Sequence, residues 1–508
     1  MDNYAVEMLG ITKIFNGVKA NDAIDFRLRP GSIHGLLGEN GAGKTTLMNI
    51  LYGLYRQEEG IIKINGKQEN IDSPTKAISL GIGMVHQHFM LARPLTVVEN
   101  VMLGHKSRRG ILLDTKETAE ELRDLSDHYH MGIDPYTKIY QLSVGEQQRV
   151  EILTAIYMGA EILILDEPTA VLTPQETEEF FHTLREMRKD GKSIVLITHK
   201  LEEIAALVDE VTVLRDGKMI GTRRAEGITK EELTRMMVGR DVMFNFPPLA
   251  EMNLGVKLSI RDLTAVNDRG VPSLNGFSLD IHGGEIVGLA GVDGNGQNEL
   301  CEVLTGLRKE TGGSIFLDGE DVSGKTPRFY IDKKVSYIPE DRHTTGLAMN
   351  WNLKKNMILK SIGNKRFMKG GLMNEKLISQ NWDKARDEYQ IKAIDGEEKA
   401  RALSGGNQQK LILARELNAD PDVLIANQPT RGLDIGASEY VRQKLIEARN
   451  GGAAVLVVSA DLEEIMQISD RIAVIYGGRL MGILPRGADV YEIGSLMMGK
   501  RQEELVHE

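Results

Sequence analysis

One cysteine, Cys301, stands in 508 residues, so no disulfide can form within the chain, and a reducing compartment is expected. In its apolar helical stretch Cys301 reads as a small core residue rather than a reactive thiol. No run of about 18 apolar residues occurs, which leaves no candidate for a bilayer-spanning helix. The first residues, Met1 to Leu9, have neither the basic stretch nor the apolar core of a secretory signal. Basic charge is not in surplus either. Sixty-two Lys and Arg face 73 Asp and Glu, a net charge of -11, which argues against nucleic acid as the main partner. What is present is globular material, 41% hydrophobic and 27% charged, in a chain too long for one core. Two or more domains are expected.

A domain-sized repeat meets that expectation. Gly35-Leu-Leu-Gly-Glu-Asn-Gly-Ala-Gly-Lys-Thr-Thr-Leu47 aligns with Gly288-Leu-Ala-Gly-Val-Asp-Gly-Asn-Gly-Gln-Asn-Glu-Leu300. Leu142-Ser-Val-Gly-Glu-Gln-Gln148 aligns with Leu403-Ser-Gly-Gly-Asn-Gln-Gln409, and Ile162 to Thr169 with Val423 to Thr430. Ile197-Thr-His-Lys-Leu-Glu-Glu203 then aligns with Val458-Ser-Ala-Asp-Leu-Glu-Glu464. The offset is 253 residues at the first pair and 261 at the other three, so a whole domain is duplicated. Two prolines near Asp241 to Leu249 suit a linker. The expected organisation is a first domain over 1–240, a linker over 241–255 and a second domain over 256–508.

Short apolar runs at Ile33, Ile162 and Ile194 are bounded by turn residues and read as buried parallel strands. Pro174 to Lys189 reads as a covering amphipathic helix. Alternating strands and helices predict an α/β fold with ligands at the C-terminal ends of parallel strands. The charged stretch from Glu99 to Tyr140 reads as a helical insertion.

Gly38-Glu39-Asn40-Gly41-Ala42-Gly43-Lys44-Thr45, followed by Thr46, fits a phosphate-binding loop. Glycines let backbone N–H groups close around phosphates, and the following helix turns its positive end toward them. Lys44 is suited to neutralise phosphate oxygens, and Thr45 to hold Mg2+. Asp166 ends an apolar strand, where it can hold the metal, and Glu167 can polarise an attacking water. Phosphoryl transfer needs little beyond such positioning and neutralisation.

Together with Leu142-Ser-Val-Gly-Glu146 and Thr198-His199-Lys200, these motifs resemble the ATP-binding cassette superfamily along nearly the whole chain. The resemblance implies ATP and Mg2+ as ligands and two tandem cassette domains. It implies that Gln87 is a lid glutamine contacting magnesium, that His199 grips the γ-phosphate, and that Phe15 stacks on adenine. Ser143 and Gly145 would belong to the first signature stretch. His86 and His88 flank Gln87 at a spacing and with neighbours that suit packing better than metal binding.

The second half keeps the glycines Gly291, Gly294 and Gly296 but not the chemistry. Gln297 replaces the lysine, Asn298 the hydroxyl, and Asn427-Gln428 the acidic pair. Glu340 replaces the lid glutamine, Ala460 the histidine and Val266 the aromatic. Hydrolysis there is not expected. In cassette proteins, as the resemblance implies, each ATP lies between one domain's phosphate loop and the other's signature stretch. The competent set then joins Lys44, Asp166, Glu167 and His199 with Ser404, Gly405, Gly406, Asn407 and Gln408. The other set joins the degraded loop with a signature altered at Val144 and Glu146. Leu433-Asp434 is regular while Leu172-Thr173 lacks the aspartate, which follows the same division.

A tandem chain with one degraded half resembles the ATP-binding subunits of bacterial importers of simple sugars and nucleosides. Met84 to Leu91 and Tyr337 to Arg342 are most similar to the nucleoside branch. The implied partners are two membrane permease subunits and, indirectly, an extracellular substrate-binding lipoprotein, with the chain at the cytoplasmic face of the membrane. A soluble tandem-cassette ATPase acting on ribosomes is the alternative, though such proteins usually keep both sites and carry a charged linker.

Overall fold

The computed structural model describes residues 4–86, 90–103, 115–169, 172–239, 254–362, 367–369 and 372–502, and the strands and helices named below are those of the described residues. The chain divides into two compact units, Met1–Met243 and Phe244–Glu508. Of the expected linker 241–255, all but Leu254 and Gly255 lies outside the described residues.

In the first unit, β1 (Val6–Phe15), β2 (Val18–Leu28), β4 (Glu59–Ile64) and β5 (Lys67–Glu69) form an antiparallel sheet in the order β2-β1-β4-β5. A second sheet has the order β10-β9-β3-β8-β7-β6. Its members are β3 (Ile33–Gly38), β6 (Ile82–Val85), β7 (Ile162–Asp166), β8 (Ser193–Thr198), β9 (Glu210–Arg215) and β10 (Lys218–Arg224). The pairs β3 with β8, β3 with β9, β7 with β8 and β6 with β7 are parallel. Every residue of β3, β7 and β8 is buried, as their unbroken apolar runs require of strands covered on both faces. The three expected strands are these three.

The helix Pro174–Lys189 forms where its pattern placed it. Thr173 caps its N-terminus in a capping box with Glu176, and proline occupies the first turn, where no N–H is needed. Between β6 and β7 lie the helices Val97–Met102, Thr115–His128 and Val144–Tyr157, the helical insertion that the charged stretch announced.

The second unit repeats this plan. Strands β11 (Val256–Val266), β12 (Pro272–His282), β14 (Gly312–Leu317) and β15 (Glu320–Asp321) make the order β12-β11-β14-β15. The main sheet runs β16-β19-β20-β13-β21-β22. It comprises β13 (Glu285–Ala290), β16 (Val335–Ile338), β19 (Val423–Asn427), β20 (Ala454–Val458), β21 (Arg471–Tyr476) and β22 (Arg479–Pro485). Its insertion holds the helices Leu353–Met357, Glu375–Glu388 and Gly405–Leu417, with a small hairpin of β17 (Met368–Lys369) and β18 (Leu372–Met373). Cys301 is fully buried in the core of this unit, where desolvation pushes its thiol well above the ordinary range. No described helix is long and apolar enough to cross a membrane.

Candidate nucleotide site

The first unit's site grows from three adjacent strand ends, β3, β8 and β7. After β3 the chain turns through Gly41 and Gly43, both with positive φ, into the helix Lys44–Leu51. A Cβ on Gly43 would lie 2.3 Å from the Ala20 carbonyl oxygen, so only glycine fits there. Buried Asn21 donates its side-chain N–H to the Gly43 carbonyl at 3.1 Å and fixes the loop from beneath. No side chain caps the helix, so its first-turn N–H groups are left for an anion.

Lys44 is buried, with Nζ donating to the carbonyl oxygens of Gly38 (2.7 Å) and Glu39 (3.0 Å). Burial lowers the pKa of this ammonium against the pull of Glu167, Asp166 and Glu39. Ala42 and Gly43 are buried, Thr46 is half-buried, and Asn40, Gly41 and Thr45 are exposed along the same loop and first turn. The Thr45 hydroxyl donates to Asp166 at 3.4 Å. Asp166, at the end of β7, is buried, and desolvation outweighs that bond to raise its carboxyl pKa. A hydroxyl and a desolvated carboxylate, both hard oxygen donors, fit a divalent cation such as Mg2+.

Glu167 adopts φ of 47°, a left-handed conformation that non-glycine residues seldom take and that clusters at functional sites. Its N–H donates to Ile197 of β8 at 3.0 Å, which holds the unusual backbone in place. His199, just past β8, brings Nδ1 to 3.0 Å from the Glu167 carboxylate. Burial pushes Glu167 up, but His199, Lys44 and Lys200 outweigh it and hold the carboxyl below its ordinary value. Lys200 also ties to the Thr169 carbonyl at 3.0 Å. The structure thus gathers Gly38, Glu39, Lys44, Thr45, Asp166, Glu167 and His199.

Phe15 ends β1 and is 39% exposed. It meets the Tyr55 ring edge to face at 5.3 Å, and the Lys13 ammonium lies 5.2 Å from its centroid. Gln87 and His88 lie outside the described residues. His86 packs edge-on against Tyr52 at 6.0 Å, and burial lowers its pKa. Asn21 and Tyr55 join the site with no sequence motif to mark them. Only the fold reveals each contact.

The two signature stretches differ in how their helices begin. Ser143 caps Val144–Tyr157 in a closed capping box: Glu146 takes the Ser143 N–H at 2.7 Å and gives its own N–H to the Ser143 hydroxyl at 3.2 Å. The Ser143 hydroxyl and one Glu146 oxygen are thus engaged by backbone N–H groups of their own helix end. Ser404 makes no such cap on Gly405–Leu417. Among the described residues its hydroxyl accepts from the Asn407 side chain at 2.8 Å and from no amide of the first turn. Gln408 is buried, and its amide donates to the Ala400 and Leu403 carbonyls.

In the second unit the glycine scaffold survives without its reactive groups. Gly294 and Gly296 keep positive φ, and Gln428 keeps the left-handed backbone of its counterpart at φ 50°. Gln297 donates to the Val292 carbonyl at 2.9 Å and accepts from the Asn295 N–H at 3.0 Å, so its carboxamide bridges two backbone groups of the loop. Where Phe15 and Tyr55 pair in the first unit, Val266 and Arg308 stand here, joined by a 2.9 Å bond from Arg308 to the Val266 carbonyl.

A glycine-built phosphate loop after a central strand, an acidic pair two strands away and a histidine between them define a phosphate-loop ATPase core. The chain belongs to the ABC transporter family, whose pattern matches residues 21–170 and 274–431, and it binds and hydrolyses ATP. It is 47% identical to the nucleoside import ATP-binding protein NupA of Lactococcus lactis subsp. cremoris, over 97% of this chain and 98% of that protein. It is 48% identical to the guanosine import ATP-binding protein NupO of Bacillus subtilis, over 99% and 98%. A glucose import ATP-binding protein of Haloferax volcanii is 43% identical, over 97% and 96%. Among solved structures, an archaeal ribosome recycling factor in complex with a ribosomal stalk protein matches with a TM-score of 0.59 and 19% identity, covering 94% of this chain and 90% of that one. That likeness shows the fold alone.

Proposed function

We propose that this chain is the ATP-driven motor of an importer of nucleosides, or of simple sugars, and works with two membrane permease subunits at the cytoplasmic face of the membrane. A substrate-binding lipoprotein delivers the cargo to the permeases, and residues 241–255 link the two cassettes. The observation that carries the reading is the near-complete alignment with two nucleoside-importing relatives at higher identity than with sugar-importing ones. The ribosome-acting alternative has only a fold likeness behind it.

The chemistry follows from the first unit. Phe15 stacks on the adenine, and the loop from Gly38 to Thr46 wraps the phosphates. Lys44 exchanges its two carbonyl partners for phosphate oxygens, which are better partners for a desolvated ammonium. Glu167 stays ionised at neutral pH and so can accept hydrogen-bond donation from the attacking water. His199 orients that carboxylate and contacts the γ-phosphate. Thr45, Asp166 and Gln87 would hold Mg2+, which supplies charge neutralisation on the phosphate oxygens.

Ser404, Gly405, Gly406, Asn407 and Gln408 complete this ATP site from the second cassette. Two things support the assignment: the uncapped helix N-terminus behind Ser404, and the gathering of every sequence departure on the other set. Glu167→Gln should cut ATP turnover by about 100-fold or more while ATP still binds. Ser404→Arg should do the same, and Ser143→Arg should not; the reverse order would overturn the assignment. In cells lacking the gene, restored uptake of labelled guanosine but not glucose identifies the nucleoside branch. Restoration by Glu167→Gln would refute the motor role.

A further inference from the structure

The positions that hold metal donors in the first unit hold something else in the second. Thr45, Asp166 and Gln87 align with Asn298, Asn427 and Glu340, and these three are bonded to one another. Asn427, at the end of β19, donates to the Asn298 side-chain oxygen at 2.7 Å. Asn298, in the phosphate-loop helix, donates to the Glu340 carboxylate at 2.9 Å. Arg431, in the loop after β19, closes the series with an ion pair to the other oxygen of Glu340. A guanidinium thus ends a polar chain whose sequence counterparts in the first unit, Thr45, Asp166 and Gln87, all carry oxygen donors. The first unit's sequence has Ala170 where Arg431 stands, so nothing there can make this pair.

The same short segment also reaches the signature stretch. The Arg342 guanidinium lies 3.8 Å from where a Cβ on Gly405 would be and 3.2 Å from where one on Gly432 would be. The next residue, His343, brings Nε2 to 3.2 Å from the Gln408 side-chain oxygen. Gln409 donates to the Pro429 carbonyl at 2.8 Å, which ties the signature helix to the loop that carries Arg431. Residues 340 to 343 therefore run from the second phosphate loop, bonded there through Glu340, to the second signature stretch, bonded there through His343, with no ligand needed for either bond.

We propose that the Glu340–Arg431 ion pair, backed by Asn298 and Asn427, is a permanent brace that holds Ser404 to Gln408 in working position without nucleotide or metal in the second unit. Glu340 and Arg431 are accordingly positioning residues for hydrolysis at the first unit's Lys44 and Glu167. The proposal rests on the reading that Ser404 to Gln408 serve that hydrolysis. As an exposed ion pair it contributes little to global stability, because water screens it. Its effect is geometric: it replaces a contact that would otherwise come and go with ligand.

The test uses the full chain. Glu340→Ala and Arg431→Ala should each lower kcat for ATP by about fivefold or more, with affinity for ATP within about twofold of the parent. The charge-reversed pair Glu340→Arg with Arg431→Glu should recover at least about half of the lost rate. Hydrogen exchange at the amides of 404–410 should quicken in Arg431→Ala and return toward the parent in the reversed pair. Unchanged exchange in Arg431→Ala overturns the brace. So does failure of the reversed pair to recover either readout. Ser404→Arg separates the two ideas. If that variant hydrolyses normally, the composite reading falls and exchange alone judges the brace. If it is inactive while both alanine variants keep full kcat, the brace falls and the composite reading stands.

Discussion

Phe15 leaves part of its ring exposed at the end of β1, a costly placement for a phenyl group unless something covers it. If adenine stacks there, Phe15→Ala should raise KM for ATP about five- to tenfold with kcat nearly unchanged, and Phe15→Trp should restore it. Equal KM values in steady-state assays of parent and alanine variant would remove Phe15 from the site. Glu151 is a residue that no motif marked. Its carboxylate accepts the Met90 N–H at 2.6 Å, and burial raises its pKa to about 7. A raised folded-state pKa means the bound proton favours the fold: that contribution is complete below about pH 4.5 and is lost as pH rises through 7. Glu151→Gln should therefore gain about 1–2 kcal/mol on the parent between pH 5 and pH 8, after allowance for partial exposure. Denaturant unfolding at the two pH values measures it, and a pH-independent difference refutes it. Lys44, Asp166, Glu167 and His199 were legible because each sits in a motif whose neighbours are local. Asn21, Tyr55 and Glu151 were not, because each acts on a partner many residues away that only the fold brings near.

Among elements, the two signature helices carry the sharpest contrast. In the sequence Glu146 stands as one of two departures from the signature pattern. The structure gives it a role as the far half of a capping box, which the Ser-x-x-Glu spacing of Ser143 and Glu146 already contained. Thr173 is comparable. Its departure from aspartate reads as a loss, yet it caps the helix Pro174–Lys189 as Asp434 caps Ile435–Asn450, so the element is intact. Ser143→Ala should cost about 1 kcal/mol of stability and leave ATP turnover unchanged. Ser404→Ala should cost little stability, since its hydroxyl caps nothing, and should lower turnover. Thermal unfolding and ATPase assays on the same two proteins decide this. A stability loss confined to Ser404→Ala would invert the assignment. Strands β3, β7 and β8 were readable from unbroken apolar runs. The antiparallel β1 and β2 were not singled out, because half-buried strands alternate and resemble ordinary surface sequence.

For the whole molecule, a nearly constant offset between motifs, 253 and then 261 residues, disclosed the duplicated fold, since backbone geometry must repeat wherever glycines and apolar runs repeat. What it could not disclose is how the second copy satisfies groups that no longer meet a ligand. Gln428 keeps the unusual φ of Glu167 and Gly296 keeps that of Gly43, so the second scaffold retains its shape. Its Gln297 carboxamide, however, is bonded at both ends to backbone groups of the loop. A phosphate entering there finds neither an ammonium in place of Lys44 nor carboxylates in place of Asp166 and Glu167. Nucleotide should therefore stabilise the chain through the first unit alone. At 100 times its Kd, ATP added to Glu167→Gln should raise unfolding stability by about 2.7 kcal/mol, the amount for a single site. Adding Lys44→Ala to that background should remove most of the gain, and adding Gln297→Ala should not. Calorimetric unfolding with and without ATP measures both. If Gln297→Ala removes as much as Lys44→Ala does, the second cradle binds nucleotide and its carboxamide is a ligand.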